Sequence, residues 1–431
     1  MEPNDAPPVP PVTASYREIF GWCMFDFANS SFTTIIVTVV FSVYYTKIVC
    51  TGRTDGDTLW GLGNMVSQLL VLLAAPFLGA LADFSGSKKR FLRMSWVSCC
   101  FATSLLYFVR PGDAWLGLAL FVLANLAYSA GENFNASFLP ELASAEDMGK
   151  VSGYGWALGY FGGLFALLLC YPFTQGAFDL ANEANLRITS LVTAAFFFVA
   201  GLPTFMLLKE RAVAQSLPPG STYLRVGFSR VMSTLGEIRR FRQLFRFLLV
   251  FAIYNMGLCA VVAFASIFAE KNLGFGPRDL LGFFLVLQIS AALGAFALGY
   301  FQDRYGAKAA LNLSLAIWIV VSVGCYLATD RWSFMIVGNL AGLALGSAQS
   351  GARALVGLMA PVSRSAEFFG FWGLFWKLSS ALGPLAFGIA STWYGQRWAV
   401  LANGLFFVAG LVLLQTVDVD EGRRAAQEAD R

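Results

Sequence analysis

Apolar residues run in long blocks separated by short connections that hold most of the charge, Gly and Pro. Wound as α-helix, a block of about 20 residues crosses a hydrocarbon layer about 30 Å thick. Twelve such spans are predicted, at about 20–48, 59–82, 91–109, 114–138, 151–173, 188–208, 245–269, 279–301, 309–328, 333–360, 368–392 and 397–417. Inside them the few polar residues recur at helical spacing. Asp26, Asn29, Ser30 and Thr33 share one face of the first span, Asn125, Ser129, Glu132 and Asn135 one face of the fourth, and Asn339, Gly346, Gln349 and Arg353 one face of the tenth. A polar stripe on an apolar helix must turn toward protein or water, which suits a central aqueous cavity; hydrogen bonding between helices is the alternative reading. Small residues at i, i+4 and i+8 (Gly155, Gly159, Gly163; Ala291, Ala295, Gly299; Gly338, Gly342, Gly346) predict close helix approach, as static packing or as sliding contacts.

The spacing of Gly79, Asp83, Gly86 and Lys88 recurs at Gly299, Asp303, Gly306 and Lys308. Each copy follows an apolar block, so the chain reads as two related halves with the same turn at the same membrane edge. In this turn the first Gly permits a close helix end, Asp can cap a neighbouring helix, the second Gly allows the reversal, and Lys holds the loop at the lipid surface. As a functional reading the two turns form a gate that makes in one conformation and breaks in the other.

Composition narrows the class. Hydrophobic residues make up 57% of the 431 residues and charged residues 13%, against roughly 25% charge in soluble domains, so an all-α membrane protein is expected. An even number of spans puts both termini on one side, and Lys and Arg concentrate on that side (Lys88, Lys89, Arg90, Arg93, Lys209 and the Arg-rich 225–246 region), which predicts cytoplasmic termini in a cell (inner) membrane. Expected units are a disordered tail over 1–18, a bundle over 19–208, a linker over 209–244, a second bundle over 245–417 and a tail over 418–431. Within the linker, residues 223–247 mix Arg with apolar residues at helical spacing, which reads as an amphipathic helix on the bilayer or as a plain basic connection. The seven cysteines show no CxxC spacing and are read as apolar packing. No cofactor, metal or nucleic-acid partner is expected, and a monomer is. Histidine is absent, so a proton relay would run on carboxylates, and Ser/His hydrolysis is excluded. No Walker loop, HExxH, GxSxG or SxxK pattern appears, which argues against an ATP-driven pump or an enzyme.

Only Asp26, Glu132, Arg353 and Lys377 lie clearly within spans as ionisable groups. Each costs about 2.5–3.5 kcal/mol at a helix centre, so each needs a partner or a purpose. Glu132 and Arg353 fall at similar depth in the fourth helix of each half and are expected to approach one another or a shared cavity. Asp26 or Glu132 would exchange protons or bind a cationic group, and Arg353 and Lys377 would supply counter-charge or hold a substrate carboxylate. Asn29, Asn125, Asn255 and Gln349 complete the candidate site.

The turn at Gly79–Arg90 resembles that of the major facilitator superfamily. Phe25-Asp26-Phe27-Ala28-Asn29-Ser30-Ser31-Phe32, Asn135–Ala143, Val151–Tyr160 and Ala366–Gly370 resemble, in order, the signatures of the vacuole-effluxer family, which contains the fungal autophagy-related vacuolar amino-acid exporter and bacterial relatives. The resemblance covers nearly the whole chain and implies twelve helices in two pseudo-symmetric six-helix bundles, alternating access, and export of amino acids or similar small polar solutes, with protons as a candidate coupling ion. It departs at Met256, where the family carries an acidic residue after the asparagine matching Asn255, and this shifts coupling toward Asp26 and Glu132. Export of amphipathic drugs or lipid-like compounds, and a non-transporting receptor or scaffold, stay open as alternatives.

Overall fold

A computed structural model of the protein describes residues 14–430 except 54, 176–177, 212–224, 226–227, 230–231, 234–235, 238 and 276. Most of the tail expected over 1–18 lies outside the described residues, as do nine of the 25 residues of the amphipathic helix expected over 223–247. Among the described residues every regular element is helical. The long helices are α1 (Tyr16–Val49), α2 (Gly56–Ser85), α3 (Lys88–Leu105), α4 (Ala114–Ser137), α5 (Met148–Cys170) and α6 (Glu183–Leu207). They continue with α7 (Arg242–Leu273), α8 (Pro277–Tyr305), α9 (Ala307–Leu327), α10 (Arg331–Met359), α11 (Ser365–Tyr394) and α12 (Gln396–Leu414), and a short helix, α13 (Val419–Ala429), follows.

Among the described residues ten helices are, by length and composition, long and apolar enough to cross a membrane. The other two long ones, α10 and α11, have 29 and 30 residues and so the length, at about 1.5 Å per residue, but their Gly, Ser, Asn, Gln and charged residues dilute the hydropathy. These are the helices that carry Arg353 and Lys377. In α1, α-helix gives way after Ser31 to π-helical turns over Phe32–Val39 and Tyr45–Val49. The β-branched run Thr33–Val40 crowds a regular helix, and hydroxyls compete for its carbonyls: Thr38 donates to the Thr33 carbonyl at 2.9 Å and Ser42 to that of Thr38 at 3.0 Å.

Packing repeats between the halves. In the first, α1 lies on α5 and α6, α4 on α2 and α3, and α3 on α6; in the second, α7 lies on α11 and α12, α10 on α8 and α9, and α9 on α12. Between halves, α5 meets α8 and α10, and α11 meets α2 and α4. The small-residue stripes serve both kinds of contact. Gly342 of α10 faces the backbone of α8 in its own half, whereas Gly153 of α5 faces Ala295 of α8 across the halves.

The helix ends carrying Lys88, Lys89, Arg242 and Lys308 lie on one side, the basic face, where they bond to Val362, Leu208, Glu421 and Val417 respectively. Close approach between the halves is concentrated there. A Cβ on Gly370 of α11 would sit 2.6 Å from the Ala75 carbonyl and 2.7 Å from Pro76 Cα of α2, so glycine is what lets these backbones touch. The two repeated turns reverse through Gly86 (φ 59°) and Gly306 (φ 90°), backbone values that a side chain would strain.

Candidate functional site

The centre of the molecule is organised around Arg353 of α10. Its Nη1 donates to Asp26 Oδ2 of α1 at 2.6 Å, its Nη2 to the Ser152 carbonyl of α5 at 2.9 Å, and its Nε to Ser152 Oγ at 3.2 Å. The guanidinium carbon lies 4.7 Å from the Trp22 ring centroid and 5.4 Å from that of Trp156, so indole faces cover the planar cation. Asn135 Nδ2 donates to the other Asp26 oxygen at 3.0 Å, and Trp22 Nε1 donates to the Asn135 carbonyl at 2.6 Å. Gly155 lies beneath the pair; a Cβ there would meet Asp26 Oδ2 at 2.5 Å. Arg353 is 3% and Asp26 8% exposed. A buried ion pair survives only when its remaining donors and acceptors are satisfied, and this one is.

Arg353 takes its ion pair from Asp26, while Glu132, expected to approach Arg353 or share a cavity with it, lies within electrostatic reach of both without pairing. The reason lies in which helices meet: α10 packs on α5, beside α1, whereas α4 packs on α11. Glu132 consequently shares its surroundings with Lys377 of α11, each within electrostatic reach of the other, with the Tyr128 hydroxyl beside the carboxylate. Among the described residues neither Glu132 nor Lys377 forms an ion pair, although Lys377 is only 9% exposed. Glu132 and Lys377 thus lie near one another on helices of the two halves. Cys259 of α7 lies in electrostatic reach of Lys377 and receives a hydrogen bond from Asn255 Nδ2 at 3.6 Å.

The other candidates divide. Gln349 of α10 accepts a hydrogen bond from the Tyr160 hydroxyl of α5 and so joins the seam between halves. Asn29 is buried beside Asp26 on α1. Asn125 donates to Ser67 Oγ at 2.7 Å, a bond from α4 to α2 inside one half. The stripe residue Asn339 accepts from Ser290 Oγ at 2.6 Å, again within one half. Sequence reasoning did not single out Trp22, Ser152, Tyr128, Tyr160 or Trp156 as site residues. Ser152, Trp156 and Tyr160 stand in the Val151–Tyr160 motif, but nothing in the motif says that they face a charge.

At the basic face both repeated aspartates meet helix N-termini. Asp83 accepts from the Glu367 and Ala366 amides at 2.9 and 3.3 Å, at the start of α11, and Asp303 accepts from the Gly149 and Lys150 amides at 2.9 and 3.1 Å, at the start of α5. Each is a carboxylate from one half on the positive helix end of the other. Lys88 differs from expectation. Instead of lying at the lipid surface it is 1% exposed, with Nζ 2.7 Å from Glu141 Oε1, 3.2 Å from Asp83 Oδ1, 2.5 Å from Ser365 Oγ and 3.4 Å from the Val362 carbonyl. Two carboxylates draw the ammonium inward, and the turn at Gly86 points it back into the bundle. Among the described residues Lys308 forms no ion pair; it donates to the Gln415 and Val417 carbonyls. Gly79 presses its backbone on Ala366, and Gly299 packs against Gly149 and Lys150.

A family model described as vacuole effluxer Atg22 like matches residues 61–427. The chain is 26% identical over 417 residues to an MFS-type transporter, YxiO, of Bacillus subtilis, covering 95% of this chain and 96% of that one. It is 24% identical to autophagy-related protein 22 of Kluyveromyces lactis, covering 85% and 80%, and 23% identical to autophagy-related protein 22-1 of Aspergillus niger, of whose length it spans 52%. Among solved structures it is similar to the proton:xylose symporter XylE (TM-score 0.73, 12% identity, covering 93% and 95%) and to FucP in its outward conformation (TM-score 0.72, 14% identity, covering 93% and 98%). The human organic anion transporter MFSD10 gives a TM-score of 0.71 at 14% identity, covering 93% and 99%.

Proposed function

From the premise that the chain belongs to the vacuole effluxer Atg22-like family of major facilitator transporters, we propose that it is a secondary active transporter of a small zwitterionic solute, an amino acid or a close analogue. One observation carries this reading: Glu132 and Lys377 face one another from opposite halves without an ion pair of their own, while Asp26 and Arg353 neutralise each other. A substrate ammonium would meet Glu132 and its carboxylate Lys377, so the bound solute would bridge the two halves and draw them together. Keeping two unpaired charges in a low-dielectric site is costly unless a ligand supplies the missing partners.

In this reading all the long helices α1 to α12 cross the membrane, the basic face is cytoplasmic by its excess of Lys and Arg, and the protein works as a monomer in the cell membrane. The arrangement described is then the state closed toward the cytoplasm. Asp83 on α11, Asp303 on α5 and the buried Lys88 network form the inner gate, and Asp26–Arg353 is a deeper lock between the halves. Opening toward the cytoplasm must separate Arg353 from Asp26, and a proton on Asp26 would lower that cost. Export is the direction proposed from the family.

The test is a thermal-shift screen of the purified protein against amino acids, peptides, sugars and organic cations, followed by uptake in proteoliposomes. Amino acids are expected to raise Tm, because a ligand of the folded state stabilises it. Glu132→Gln and Lys377→Gln should each weaken binding by at least about thirtyfold and abolish uptake. Each change leaves the remaining charge without its counter-charge across the halves, so baseline Tm is measured beside binding to separate loss of fold from loss of affinity. Binding of amino acids unchanged in both variants, or a shift given only by sugars or organic cations, would sink the proposal.

A further inference from the structure

Helix α13 holds none of the central charges, yet its contacts converge on the basic-face latch. Asp418 caps its N-terminus, accepting from the Glu421 amide at 2.9 Å, and the Asp418 amide donates to Gln243 Oε1 of α7 at 3.0 Å. Glu421 Oε2 accepts from Gln243 Nε2 at 2.5 Å, Gly422 lies on Met359 at the end of α10, and Ala426 is 4% exposed. Arg423 reaches across to Glu146 of the first half, 3.6 Å away, an exposed pair of small value. At its far end Asp430 accepts from the Val362 amide at 2.7 Å, the Ser363 amide at 3.0 Å and Ser363 Oγ at 2.5 Å.

Val362 is the shared element. Its amide is held by Asp430 and its carbonyl by Lys88 Nζ, which also takes Ser365 Oγ three residues on. The Ala366 and Glu367 amides that follow are those given to Asp83. The turn between α10 and α11 is thus gripped from one side by α13 and from the other by the first half of the molecule.

We propose that α13 is a strap for the latch: docked on α7 and α10, it uses Asp430 to fix the Val362–Ser363 peptides where Lys88 and Asp83 can engage them, and so favours the state closed at the basic face. Undocking α13 frees the turn and shifts the equilibrium toward opening. The device rests on the latch reading of the Asp83 and Lys88 contacts and is independent of what solute is carried.

Hydrogen exchange of the full-length protein, read by mass spectrometry without any solute, tests it. Asp430→Ala should speed exchange by about fivefold in segment 362–367, matching the loss of a net hydrogen-bond contribution, and equally in segment 83–90 across the halves. Ala426→Arg, which places a charge in the docked face of α13, should give the same two changes, while α9 exchanges at the wild-type rate. Faster exchange confined to 362–367 would show a local cap and overturn the strap, as would wild-type exchange in both segments. If Ala426→Arg does not fold, Asp430→Ala decides alone, since Asp430 is exposed. Failure of every amino acid to bind would overturn the proposed cargo and leave this result standing.

Discussion

Leucine in place of Arg353 is expected to lower stability by about 3–5 kcal/mol, because Asp26 would stay buried with its countercharge gone. Among the described residues the carboxylate would keep only the Asn135 amide as a hydrogen-bond partner. A marked fall in Tm of the purified protein would register the loss. Asp26→Asn alone should cost less, since the guanidinium retains the Ser152 carbonyl and hydroxyl and two indole faces. Combining Asp26→Asn with Arg353→Leu should recover most of the deficit, because no unpaired charge remains and the two sites are in direct contact. A wild-type Tm for Arg353→Leu would mean that the pair contributes nothing to the folded state. In the double variant the halves are joined by one ion pair fewer, so its transport, measured beside its Tm, separates the lock from the cargo site.

Lys88→Met should have an effect of similar size for a related reason. Lys88 neutralises two carboxylates, Asp83 and Glu141, and is as deeply buried as they are. Glu141 Oε2 already lacks a hydrogen-bond partner among the described residues, so the cluster has no reserve of donors. Removing the ammonium leaves Asp83 dependent on the α11 amides and Glu141 without a hydrogen-bond partner among the described residues, at a cost of about 3–5 kcal/mol in thermal or denaturant unfolding. Adding Glu141→Gln should restore part of it by removing the second charge. Because Lys88 also ties Ser365 and Val362 of the other half, the variant should open more readily at the basic face, seen as faster exchange of the Ala366 and Glu367 amides. Unfolding at the wild-type midpoint would show that the three charges are not coupled as the geometry implies.

Much of this molecule was legible before any coordinates. Hydropathy blocks place each helix to within a few residues, because in a bilayer only a helix satisfies its own backbone. Spacing alone identified the duplicated Gly-Asp-Gly-Lys turn and, through it, two halves whose helix contacts repeat with an offset of six. The four intramembrane charges stood out because each is expensive there. Helical periodicity put Gln349 and Arg353 on one face of α10, and both do reach α5.

What periodicity could not supply was the direction in which each face looks. Depth along a helix suggested Glu132 for Arg353, but depth is one coordinate of three. The rotation of α10 toward α1 and α5, and of α11 toward α4, pairs Arg353 with Asp26 and leaves Glu132 opposite Lys377. For Asn125 the polar stripe leaves two readings, a cavity lining or a bond between helices, and the structure gives the second, its amide donating to Ser67 within one half. Lys88 reads in the sequence as holding its turn at the lipid surface; its burial depends on Glu141, 53 positions away, and Ser365, 277 away. Composition and pattern determined by themselves that this chain is a duplicated helical membrane protein and which side chains were too costly to be idle. Tertiary structure alone decided which charges pair and which, among the described residues, do not, since that turns on the azimuth of helices from different halves, and no local interaction along the chain encodes it.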